Sequence, residues 1–105
     1  MAATHAAIGL LRSGDRVVAG CDIYGGTYRL LHKIAVRAGI RVTLVDTTDP
    51  DNLKAEMGDD VAMVWLESPG NPLMTITDIV ACTEIAHSAG ARVAVDNTFC
   101  SPVLT

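Results

Sequence analysis

A chain of 105 residues, half of them apolar and with a formal net charge of −4, is the size of one domain or part of one and has the hydrophobic content to bury a core. Eight Lys and Arg against twelve Asp and Glu, with no basic cluster, argue against a nucleic-acid partner, and one Trp, two Tyr and one Phe are too few for a stacking platform. No run approaches the roughly 18 apolar residues of a membrane span, and Met1 to His5 carry neither the basic nor the apolar region of a secretion signal. Cys21, Cys82 and Cys100 form an odd set without a Cys-x-x-Cys pair, as suits small thiols in a reducing compartment. The expected location is the cytoplasm.

In chain order, residues 2–11 have helical character and end near Ser13-Gly14. Arg16–Gly20 is the first of four short apolar runs, and the others are Arg41–Val45, residues 61–66 and residues 92–95. All four are continuous rather than alternating, as expected of strands covered on both faces. Residues 26–38 set Leu30, Leu31, Ile34 and Ala38 on one helical stripe and stop at Gly39, a natural C-terminal cap. Residues 50–57 form a shorter helix, with Asp49 as N-cap and Pro50 in its first turn. Residues 78–89 gather Ile79, Cys82, Ile85, Ala86 and Ala89 on one side and stop at Gly90. The connections are short and no linker interrupts them. The order α-β-α-β-α-β-α-β predicts an α/β fold, a parallel, doubly wound sheet with alternating helices and no internal domain boundary.

In such a sheet, ligands bind beyond the carboxyl ends of the strands, and three loops there are chemically distinctive. After the first strand comes Tyr24-Gly25-Gly26-Thr27, which reads either as a turn with Thr27 capping the next helix or as an aromatic ring set to stack on a flat cofactor. After the third comes Glu67-Ser68-Pro69-Gly70-Asn71-Pro72, a stiff loop that serves as an ordinary turn or holds the Asn71 amide toward a ligand. The fourth strand ends on Asp96-Asn97-Thr98. A carboxylate there needs a hydrogen-bonding or cationic partner, because burying it alone is costly. It is either a capping Asp or the counter-ion of a protonated ring nitrogen.

Taken together and in this order, the Tyr-Gly-Gly-Thr turn, the Glu-Ser-Pro-x-Asn-Pro loop and the Asp-Asn-Thr strand end resemble the pyridoxal-phosphate-dependent enzymes of cysteine and methionine metabolism, the cystathionine γ-synthase, γ-lyase and β-lyase family. Gly14-Asp15 and Ile76-Thr77-Asp78-Ile79 fit the same pattern, so the resemblance extends over essentially the whole chain. It implies the large domain of a fold-type I enzyme, pyridoxal 5'-phosphate as cofactor, a sulfur amino acid as substrate and assembly into a homo-oligomer, a homotetramer. The implied reaction is γ-elimination, γ-replacement or β-elimination at cystathionine or a related compound. The rival reading is a non-catalytic α/β binding or interaction module that has lost this chemistry.

Residue by residue, the resemblance implies that Tyr24 stacks on the pyridine ring and assists proton transfer, and that Asp96 pairs with the pyridinium nitrogen. Thr98 is expected against the other ring face, and Asn71 at the ring's phenolic oxygen. Met1 aligns with the last position of a Ser-x-Gly-Met stretch whose backbone N–H groups hold phosphate. The Ser and Gly of that stretch, and a later Ser-x-Thr-Lys segment bearing the Schiff-base lysine, have no counterpart here. The expectation is therefore a partial cofactor-binding domain over residues 1–105, truncated at both ends and inactive alone. Lys33 and Lys54 sit at helix positions facing solvent, and neither replaces that lysine. Arg12, Arg16, Arg29, Arg37, Arg41 and Arg92 read as surface charges. His5, His32 and His87 lack metal-ligand spacing, and Asp46, Asp49 and Asp51 read as helix-capping acids rather than a cation site.

Overall fold

The computed structural model describes residues 1–103. Helix α1 (Ala2–Ile8), strand β1 (Arg16–Gly20), helix α2 (starting at Gly25), strand β2 (Arg41–Val45), helix α3 (Pro50–Glu56), strand β3 (Val61–Glu67), helix α4 (Ile79–Ser88) and strand β4 (Arg92–Asp96) follow one another in the expected alternation. The four strands pair in parallel, in the spatial order β2-β1-β3-β4.

Strand pleating sends successive side chains to opposite faces, which produces two cores. Val17 and Ala19 of β1 join Met63 and Trp65 of β3 on one face, under Ile8 of α1 and Leu30 and Leu31 of α2. Val18, Val64 and Leu66 occupy the other face, under Leu53 of α3 and Cys82 and Ala86 of α4. The sheet is doubly wound. Each fully buried Val or Leu contributes about 1.5–3 kcal/mol, so the central strands carry most of the stability. The expectation of strands covered on both faces holds for β1 and β3 and fails for β2 and β4, which are only partly buried. These are the two edges, where the covering helices no longer reach across the whole strand.

Local signals fix the helix ends. The Asp49 carboxylate accepts the Asp51 N–H at 2.9 Å, and the Asp78 carboxylate accepts the Ala81 N–H at 3.0 Å. Gly39 takes a left-handed φ of 82° where α2 stops. Within α2 the structure departs from the sequence pattern. Gly25–Arg29 is α-helical, Leu30–Ala35 is π-helical and Val36–Ala38 is 3₁₀. The wide turn, with i to i+5 bonding, adds a residue to the count, so Leu30, Leu31 and Ala35 face the core while Ile34 and Ala38 are exposed.

The arginine reading also needs correction at one position. The Arg16 side chain is only 16% exposed. Its guanidinium donates to Asp60 Oδ2 at 3.0 Å, to Thr43 Oγ1 at 3.2 Å, to Glu56 Oε2 at 3.3 Å and to the Glu56 carbonyl at 2.6 Å. Arg16 clamps the amino ends of β1, β2 and β3 together, a role invisible without the strand order.

Candidate functional site

The strand order creates the site. From β1 the chain turns into α2 on one face, and from the neighbouring β3 it leads to α4 on the opposite face. The loops after these adjacent strands diverge and leave a crevice, the switch point at which doubly wound sheets bind ligands. A cavity of about 320 Å³ opens there, at the small end of the roughly 300–1,000 Å³ of ligand pockets.

Its wall is assembled from four parts of the chain. Tyr24 and Thr27 come from the β1 side, Glu67, Pro69 and Asn71 from β3 and its loop, Asp96, Thr98 and Phe99 from β4, and Met1 and Thr4 from the start of α1. The five residues singled out in the sequence, Met1, Tyr24, Asn71, Asp96 and Thr98, are thus brought to one cavity although they lie between positions 1 and 98 of the sequence.

Tyr24 stands at the N-cap position of α2, with its side chain 46% exposed. Its backbone N–H donates to Glu67 Oε2 at 2.9 Å. The ring lies against Gly26, where any β-carbon would collide with ring atom Cε1 and stand 3.0 Å from Cδ1 and from Met1 Sδ. Any larger residue at 26 would have to displace the Tyr24 ring and press on the Met1 side chain.

Asn71 is held by a knot between two loops. The Asp22 carboxylate accepts the Thr75 hydroxyl at 2.7 Å and the N–H groups of Leu73 and Thr75 at 3.2 and 3.3 Å. The Asp22 carbonyl accepts the Asn71 N–H at 3.4 Å, and the Gly70 N–H donates to the Thr75 carbonyl at 2.9 Å. A side chain at Gly70 would strike the Asp22 carboxylate and come within 2.7 Å of the Asp22 carbonyl oxygen. Burial raises the Asp22 pKa, but the Thr75 hydroxyl and the two N–H donors outweigh it and hold the carboxyl below the ordinary range. Both proline bonds of the loop, Ser68–Pro69 and Asn71–Pro72, are cis.

Asp96 ends β4 directly beside Glu67 of β3 in the ladder. Its Oδ1 accepts the Thr98 N–H at 3.1 Å and the Thr98 hydroxyl as well. The carboxylate therefore closes a turn at the strand end, where no helix begins, and the residue lines the cavity. Among the described residues it has no ion-pair partner, since the three ion pairs present are Arg16–Glu56, Arg16–Asp60 and Arg41–Asp60.

Three residues at this site were not nominated from sequence. Thr27, read there as a helix cap, instead lies inside the first turn of α2, fully buried, and its hydroxyl has no hydrogen-bond partner. Asp22 ties the loops. Glu67 is 7% exposed and lines the cavity. Burial pushes its pKa up, the Tyr24 N–H opposes this, and the neighbouring Asp96 and Asp22 push it up further. The argument that singled out Asp96, an acid closing a buried strand, applies equally to Glu67 and would have found it.

Outside the cavity, Lys33 and Lys54 are exposed on α2 and α3. Among the described residues no His, Cys, Asp or Glu group is arranged to hold a metal ion, and no helix is long and apolar enough to cross a membrane.

Comparison with known proteins places these features in context. The model of the family described as Cys/Met metabolism PLP-dependent enzyme matches residues 1–105. The chain is 47% identical over 105 residues to the chloroplastic cystathionine beta-lyase of Arabidopsis thaliana, covering 100% of this chain and 23% of that protein. The crystal structure of metB from Corynebacterium glutamicum superposes with a TM-score of 0.94 at 42% identity, over 97% of this chain and 27% of the other. That of a cystathionine gamma-lyase from Lactobacillus plantarum, complexed with L-serine, gives a TM-score of 0.93 at 38% identity, over 96% and 26% respectively. The chain spans about a quarter of the length of the relatives it matches.

Proposed function

Because this chain belongs to the Cys/Met metabolism PLP-dependent enzyme family, we propose that it is the partial cofactor-binding large domain of an enzyme acting on cystathionine or a related sulfur amino acid. The reaction is γ-elimination, γ-replacement or β-elimination, all of which begin with removal of the proton next to the substrate nitrogen. The observation that carries this reading is the convergence of Tyr24, Asn71 and Asp96 on the switch-point cavity, where Asp96 has no paired cation among the described residues.

The residues present fit pyridoxal phosphate. The cavity is lined by an aromatic ring at Tyr24, an acid on the β4 side and a buried, unpartnered hydroxyl at Thr27. When bound, the cofactor supplies an electron sink for a carbanion. The chain's own groups do the rest. Asp96, oriented by its bonds to Thr98, holds a proton at the ring nitrogen. Tyr24 covers the ring face, and its phenol is placed to carry a proton. Asn71, immobilised by the Asp22 knot, offers its amide to the ring oxygen, and Met1 marks the phosphate end. Thr98 closes the β4 side of the cavity.

The assembly we propose is a homo-oligomer, for which Leu73, Ile76 and Val80, each about two-thirds exposed or more, supply apolar surface near the α4 start. The cytoplasm suits Cys21, Cys82 and Cys100, none of which is paired; burial and the nearby Asp78 raise the Cys82 pKa and keep that thiol inert.

The test is a titration of the 105-residue chain with pyridoxal phosphate, followed by the absorption of the cofactor. Saturable binding that Asp96→Ala weakens by about a hundredfold is expected, with no release of ammonia and oxo acid from cystathionine, because neither lysine lines the cavity. Turnover by the chain alone, or binding indifferent to Asp96, would overturn the reading.

A further inference from the structure

Tyr24 is held in an unusual way. Nearly half of its side chain is exposed, so packing alone does not fix the ring. The bond from its backbone N–H to Glu67 Oε2, at 2.9 Å, joins positions 43 residues apart. From below, Gly26 leaves room for the ring and nothing more. Glu67 itself is nearly fully buried, has no ion-pair partner among the described residues and stands between two other acids, Asp22 and Asp96. A carboxylate so placed costs several kcal/mol unless its bonds return the cost, and a helix start needs no such group, since Ser, Asn or Asp at the cap does that work.

We infer that Glu67 is the positioning residue of Tyr24: its side chain, projecting from the end of β3, anchors residue 24 across the crevice and so sets where the aromatic ring lies over the cavity. This deepens the reading of the cavity as a pyridoxal-phosphate site and rests on it. What matters is the reach of the acceptor, not the charge. Gln at 67 presents a carbonyl at the same reach without charge, whereas Asp keeps the charge and withdraws the acceptor by one methylene. The two variants therefore separate positioning from a purely electrostatic effect on the ligand.

The experiment has two arms on the 105-residue chain. In the first, without ligand, amide hydrogen exchange is read at single residues. The Tyr24 N–H is protected in the wild type and in Glu67→Gln, and loses about tenfold in protection in Glu67→Asp, the scale of one hydrogen bond to a charged group. The Val18 N–H, deep in the sheet, reports that the fold is intact in each. In the second arm, pyridoxal phosphate is titrated. Glu67→Asp weakens binding by about tenfold, Glu67→Gln restores most of it, and in a Tyr24→Ala background Glu67→Asp costs less than about twofold, because the ring it positions is gone. The opposite ranking, with Asp harmless and Gln harmful, overturns positioning in favour of charge. Equal costs with and without the Tyr24 ring overturn it in favour of a merely structural bond. A wild-type chain that takes up no pyridoxal phosphate refutes the proposed function, while the exchange arm still decides the role of Glu67.

Discussion

The two ends of the same parallel sheet are built on opposite electrostatic plans. At the amino end, where β1, β2 and β3 begin, charges are paired: Arg16 joins Glu56 and Asp60, and Arg41 joins Asp60 at 3.1 Å. At the carboxyl end Glu67 and Asp96 line one cavity with Asp22 tying the loops beside it, and every ion pair among the described residues lies at the other end. The strands are shared, so the difference cannot come from the fold. At the closed end charges hold strands in place through ion pairs, while at the open end the acids are held by N–H and hydroxyl donors and by no cation among the described residues.

That comparison breaks if a change at the open end acts chiefly on stability. Asp96→Ala is expected to weaken pyridoxal-phosphate uptake on the order of a hundredfold, the scale of truncating one partner of a buried charge pair. Asp78→Ala, which removes only the cap of α4, should leave affinity unchanged and cost about 1 kcal/mol in urea unfolding. Equal effects on binding from the two variants would refute the assignment of roles.

At the closed end the reverse is expected. Arg16→Ala should cost about 2 kcal/mol of stability, since it strips five hydrogen bonds from a half-screened cluster, and should leave the Kd for pyridoxal phosphate within about twofold. Paired urea-unfolding and binding curves decide this. A Gly70→Ala change lies between the two in kind. By driving a methyl into Asp22 it should loosen the loop that holds Asn71, and both stability and binding should fall.

The smallest expected effect is on pH dependence. The folded-state pKa of Glu67 is raised above its ordinary 4.5, so the folded chain binds this proton more tightly than the unfolded chain. The corresponding stability is fully present below the ordinary value and is lost as pH rises through the folded pKa. Asp22 runs the other way: its folded pKa lies below the ordinary 3.8, so its contribution is present above that value and lost as pH falls through the folded one. Urea midpoints measured across the acid range should show Glu67→Gln removing the first slope and keeping the second.

Much of this was legible in the residues because it rests on local pattern. The four apolar runs, the Asp49 and Asp78 caps and the Gly39 stop all reflect short-range chemistry, and the strand starts fall where the runs begin. The parallel sheet followed from the alternation, and with it the meeting of Tyr24, Asn71 and Asp96 at one edge. What escaped depends on partners far along the chain. Arg16 looks like any surface charge until Glu56 and Asp60 are folded beside it. Thr27 looks like a cap until α2 starts two residues before it. Glu67 has no visible task until the Tyr24 N–H arrives from the neighbouring strand's loop. The π-helical turn that exchanges Ile34 for Ala35 in the core is not written in any stripe, because a stripe presumes the very period that the turn alters.

The Asp22 knot has a mechanical consequence. By gripping Leu73 and Thr75 from the far side of the crevice, it joins the loops after β1 and β3 into one body. Two of the cavity's walls must then rise and fall together, and neither can act as a door by itself. The stretch after β4 is fastened to the same body, since the Asn97 side-chain amide donates to the Ser68 carbonyl at 2.6 Å and the Ser68 N–H donates to the Asp96 carbonyl at 3.1 Å.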